Sequence, residues 1–98
     1  MDKNSALRIA QDYAKQIISG EVEPYEGAKL IVEEAIYKCD GENQCPELDY
    51  MSGLEDEYLE FHKDYRIEFY GNKKTKELIK QTELQIIDEA RDILKIKV

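Results

Sequence analysis

The chain has no stretch near the roughly 18 consecutive apolar residues that a bilayer span requires. Its start, "MDKNSALRIAQDYAKQ", lacks the apolar segment of a secretory signal. A cytoplasmic protein with no membrane partner is therefore expected. Histidine is nearly missing, with His62 alone. Zinc needs about four ligands, so one His and two Cys leave a metal or other cofactor unexpected. There is no Gly-rich phosphate loop, no G-x-S-x-G elbow and no H-E-x-x-H pair. A lone His beside Lys63 reads as a solvated surface residue, and runs of acids usually form solvated faces. The sequence thus argues against an enzyme, and no catalytic residue is assigned.

Basic charge is also short. There are 14 Lys and Arg against 22 Asp and Glu, a formal net charge of −8. Such a field repels nucleic-acid phosphates and anionic lipid, and favours a basic protein as partner. Excess acid also serves solubility alone. The 98 residues, 42% of them apolar, suit one modest core and a single domain over 1–98. Cys39 and Cys45 enclose "DGENQ". This is not the C-x-x-C spacing of a redox pair, and free thiols or a disulfide both remain open. Counted from Asp40, Gly41 falls second rather than sixth, which argues against a calcium loop.

Helical periodicity dominates what is present. Ala6, Ile9, Ala10, Tyr13, Ala14, Ile17 and Ile18 share one face, with Asn4 or Ser5 as cap and Gly20 as terminator. Pro24 suits the first turn of a second helix whose inward stripe is Ala28, Ile31, Val32, Ala35 and Ile36. Gly27 inside that turn marks close helix approach or fraying. After a loop following Cys39, the residues Met51, Leu54, Tyr58 and Phe61 predict a third helix, irregular at Gly53. Tyr65, Ile67 and Phe69 alternate with Arg66, Glu68 and Tyr70, the pattern of a short extended segment near 65–70. Leu78, Ile79, Thr82, Ile86, Ile87, Ala90, Ile93 and Leu94 mark a long last helix, capped by Asn72 or Thr75. The expected fold is all-α, a compact four-helix bundle.

Charge and rings share one region. Residues 21–68 hold 15 acids and 4 bases, a net of −11; the rest hold 7 acids and 10 bases, a net of +3. All aromatic residues except Tyr13 lie between Tyr25 and Tyr70. Acid alone suggests solubility. Acid mixed with tyrosine suggests a contact surface, because Tyr buries much area at little entropic cost. Residues 53–70, "GLEDEYLEFHKDYRIEFY", show the mixture most densely. The candidate partner-binding residues are Glu55, Asp56, Glu57, Tyr58, Glu60, Tyr65, Glu68 and Tyr70.

Within residues 17–36, Gly20, Val22, Pro24, Glu26, Gly27 and Ala28 match a G-x-[IV]-x-P-x-E-G-A turn. That segment resembles small uncharacterised bacterial proteins, and the likeness implies no activity. In size, acidity and helical character the whole chain is similar to bacterial immunity proteins, both of nuclease colicins and of contact-dependent growth inhibition. It lacks the "YYP" segment of the colicin type, so no site residue is carried over. The resemblance implies a protein that binds and neutralises a toxin domain, often a nuclease. Two alternatives stand beside it: a helical module that self-associates, as a homodimer for example, and a nucleic-acid mimic.

Overall fold

Helix α1 (Lys3–Ser19) starts where the Asp2 carboxylate accepts the backbone N–H of Ser5 at 2.8 Å. A computed structural model describes residues 1–39 and 45–98 of the chain. The loop expected after Cys39 falls on residues 40–44 and lies outside the described residues. The cap of α1 sits earlier in the chain than Asn4 or Ser5. Asp2 is extended, whereas Asn4 and Ser5 are already helical. Ala6, Ala10 and Ala14 form a fully buried row at four-residue spacing, and their small side chains admit close neighbours. Gly20, at φ 81°, then turns the chain in the left-handed conformation that glycine adopts without strain.

Pro24 opens helix α2 (Pro24–Ile31), which passes directly into a π-helical turn, Val32–Ile36. There the Tyr37 N–H reaches the Val32 carbonyl at 2.9 Å. The wider turn keeps Val32 and Ala35 inward with Ala28 and Ile31. A Cβ on Gly27 would lie 2.2 Å from Ile17 Cγ1. This glycine is a contact requirement between α1 and α2, not a frayed turn.

A 3₁₀ turn, Pro46–Leu48, leads into helix α3 (Asp49–Phe61), which runs through Gly53 without a break. The next segment corrects the sequence reading. Residues expected to be extended near 65–70 form a fifth helix, α4 (Asp64–Tyr70). No strand occurs among the described residues to pair with it, and an isolated strand would leave its backbone groups unsatisfied. The Lys63 carbonyl instead accepts from Arg66 and Ile67 at 3.0 and 3.2 Å. Gly71, at φ 80° and ψ 161°, separates α4 from the long helix α5 (Asn72–Leu94). Neither Asn72 nor Thr75 caps α5 through its side chain.

At 1.5 Å per residue, α5 is about 35 Å long and spans most of the molecule. Helices α2 and α5 each pack on both α1 and α3, giving a four-helix bundle, while α4 lies on α5. The shared core centres on Ile31, Leu48, Met51, Ile86 and Ile93, all fully buried. Gln11 of α1 donates to the carbonyls of Ile93 and Ile96 at 3.1 and 2.8 Å. It thereby satisfies acceptors that the end of α5 leaves over. The thiols of Cys39 and Cys45 lie 3.2 Å apart and are not bonded. Burial first, and then the hydrogen bond with Cys39, push the Cys45 thiol up to about 12.

Candidate functional site

Helix α3 faces the core through Met51, Leu54 and Phe61. Glu55 falls on the same side, four residues after Met51, and is only 8% exposed. The sequence reading placed this carboxylate at the surface, and the structure moves it inward. Burial first, and then the neighbouring Asp56 carboxylate, raise the Glu55 pKa above its ordinary value. Asp56 and Glu57 are exposed. No lysine or arginine pairs with either of them among the described residues.

Tyr58 is half-buried and stacks on Tyr25, at the start of α2, with ring centroids 4.5 Å apart. Just past the end of α3, the His62 ring lies 4.8 Å from Tyr58 at a 50° tilt. The four-residue spacing of Tyr58 and His62 puts both on one helix face. These three rings line a cleft of about 330 Å³ between α2, α3 and α5. Carboxylates of Glu23, Glu26 and Glu83 complete its lining with Pro24. Burial first, and then the Glu83 and Glu23 charges, push the Tyr58 hydroxyl above its usual value. The Tyr25 hydroxyl rises for the same first reason, followed by Glu55 and Glu26.

The second half of the stretch is arranged differently. Glu60 is tied inward: Lys63 Nζ lies 2.7 Å from it, and the Tyr65 hydroxyl donates to its other oxygen. Those contacts, Lys63 first, hold the Glu60 carboxyl below its ordinary range. On α4 no residue is buried; Tyr65 is 56% and Phe69 80% exposed. The Arg66 guanidinium lies 5.8 Å from the ring centres of both Phe61 and Tyr65. It also donates to the Tyr70 hydroxyl at 3.4 Å. Its Nε is buried without a hydrogen-bond acceptor and lies 4.0 Å from a Glu60 carboxylate oxygen, so the ring faces add to that ion pair. Glu68 is exposed, and Tyr70 packs edge-on against Phe61 and Phe69.

The predicted residues thus separate into two surfaces. Tyr58 lines the cleft while Asp56 and Glu57 stand exposed elsewhere on α3, and Tyr65, Glu68 and Tyr70 belong to α4. Glu60 bridges the two helices, and Glu55 is buried beneath α3. Sequence reasoning missed Glu23, Tyr25, Glu26, His62 and Glu83 as site residues. Glu23, Tyr25 and Glu26 stand together around Pro24, a local signal of acid mixed with tyrosine. Glu83 carries no such signal, because only the packing of α5 brings it to Tyr58. No family model matches the chain, and neither the curated proteins nor the solved structures give a match.

Proposed function

We propose that this chain is an immunity protein. It binds and neutralises a basic bacterial toxin domain, such as a nuclease, through its acidic, tyrosine-bearing face. The observation that carries this reading is uncompensated charge. Residues 21–68 contain 15 acids, and removing Asp40 and Glu42, which lie outside the described residues, leaves 13. Of those 13, only Glu34, Glu47 and Glu60 meet a lysine or arginine. A solvated face tolerates such charge, but rings stacked within it supply contact area that solubility alone does not require. Complementary charge raises association rates and rejects acidic competitors.

Co-expression tests the proposal. Pull-down from the native cell should recover one basic toxin domain in a stoichiometric complex, and co-expressing the chain should rescue growth of cells that make that domain. Lack of rescue, with the chain recovered only as itself, would sink the proposal. The bare rings of α4 favour a second reading. Phe69 and Tyr65 together form the kind of exposed apolar patch through which small helical modules self-associate. Sedimentation across a concentration series separates that reading from the first, since a Phe69→Ala variant would then shift toward monomer.

A further inference from the structure

Cys39 and Cys45 enclose five residues in the chain, too many for a C-x-x-C pair, but reactivity depends on how close the sulfurs come. They lie 3.2 Å apart. Cys39 sits just beyond the π-helical turn that continues α2, and Cys45 just before the 3₁₀ turn that leads into α3. Backbone hydrogen bonds hold each in place. The Cys39 N–H donates to the Ile36 carbonyl at 3.3 Å, and the Cys45 carbonyl accepts the Leu48 N–H at 3.0 Å. Two further contacts secure the pair from the side of α1. The Met1 amino group donates to the carbonyl of Lys38, the residue before Cys39, at 2.8 Å. Lys3 pairs at 2.6 Å with Glu47, two residues after Cys45. The folded chain thus brings the thiols together through supports on both sides.

The two thiols differ in access. Cys45 is 5% exposed and part of the core, where a free Cys packs as a small apolar residue. Cys39 is half-buried at the edge of that core, within reach of a small oxidant. We propose that Cys39 and Cys45 are a modification site, which a peroxide closes into one reversible disulfide joining the α2 segment to the start of α3. The sulfurs need approach by only about 1.1 Å, from 3.2 Å to the roughly 2.05 Å of the bond. Cys39 reacts first. Its thiolate sulfur bonds to one oxygen of hydrogen peroxide, the O–O bond breaks, and hydroxide leaves, giving a sulfenic acid. The Cys45 sulfur then attacks the Cys39 sulfur; the S–O bond breaks, and the hydroxyl leaves with the Cys45 proton as water. The proton first lost by Cys39 neutralises the hydroxide. In total two thiols give up two electrons, and one peroxide is reduced to two waters. Burial, which keeps the Cys45 thiol protonated at neutral pH, suits it to the second role and not the first. The site does not depend on the immunity reading.

Mass spectrometry tests it on the full chain. Native, reduced protein given a slight excess of hydrogen peroxide should lose about 2 Da, and dithiothreitol should restore the mass. Peptide mapping should place the link between Cys39 and Cys45 of one chain. Closure in strong urea should be slower by about tenfold or more, because unfolding removes the supports that hold the thiols together. In Cys45→Ala, dimedone should capture the Cys39 sulfenic acid. In Cys39→Ala, Cys45 should stay reduced about tenfold longer than Cys39 does in the first variant. The disulfide form of the parent chain should melt about 5 °C or more above its reduced form, a comparison that needs no substitution. Sulfinic acid on Cys39 without a link overturns the proposal. So do links only between chains, closure as fast in urea as in the native state, or a disulfide form that melts no higher than the reduced one.

Discussion

Helices α3 and α4 come from one continuous acidic, ring-rich stretch, yet they use their rings in opposite ways. Helix α3 places Phe61 in the core and Tyr58 in a stack with Tyr25 of another helix. Helix α4 buries nothing and leaves Phe69 four-fifths exposed. The difference lies in the support beneath each helix. Below α3 lie both α2 and α5, so its side chains meet atoms on two sides; α4 rests mainly on α5 and touches only the end of α3. Similar composition therefore yields a built cleft in one place and a bare patch in the other.

The sharpest way to break this contrast is to truncate one large apolar side chain from each helix. Leu54→Ala on α3 should cost about 2–5 kcal/mol in urea unfolding, since Leu54 is 3% exposed and its loss leaves a cavity. Phe69→Ala on α4 should stay within about 0.5 kcal/mol, the usual range for surface substitutions. Comparable losses would mean that α4 is part of the core after all.

The joint between the two environments gives a smaller effect. Gly71, at φ 80° and ψ 161°, occupies backbone space that is essentially closed to other residues. Gly71→Ala should destabilise by about 1–3 kcal/mol, or else release α4 from α5. Amide exchange distinguishes these outcomes: local release would raise exchange in residues 64–70 while α1 and α5 keep their protection.

The same contrast explains what the sequence could tell. The bundle helices were legible because each turns a three- and four-residue apolar stripe toward the core, as Ala28, Ile31, Val32 and Ala35 do. Helix α4 has no buried stripe, so its periodicity carried no information about packing. The alternation of Tyr65, Ile67 and Phe69 then imitated a strand. The burial of Glu55 was legible in principle, since it stands one turn after Met51, but its charge argued for the surface. Half of the cleft was legible around Pro24. Glu83 was not, because its distance from Tyr58 is fixed only by tertiary packing.

Binding kinetics sharpen the comparison further. Asp56→Asn with Glu57→Gln should slow association with the proposed basic partner severalfold and flatten its salt dependence, leaving dissociation nearly unchanged. Neutralising Glu68 on α4 should do less, because its helix stands apart from the cleft. If the α4 change slows association more, the contact surface centres on the bare rings instead.

The smallest effect concerns two acids on α3 that should titrate in opposite senses. Burial, and then Asp56, raise the Glu55 pKa above its ordinary 4.5. Between the ordinary and the raised value, the folded chain holds a proton there that the unfolded chain has released. The resulting stability is fully present below the ordinary pKa and is lost as pH rises through the raised folded value. Glu60 is lowered from the same ordinary value, by Lys63 first and then by Tyr65. Its contribution is present above the ordinary pKa and is lost as pH falls through the depressed folded value. Glu55→Gln should consequently melt higher than the parent at pH 7, with the gap closing near about pH 4. Glu60→Gln should melt lower at pH 7, and its gap should close only below that pH. Thermal melts of both variants across this range decide the matter. Glu55→Gln melting lower at pH 7 would show that what the carboxylate gains from its surroundings outweighs the cost of its burial.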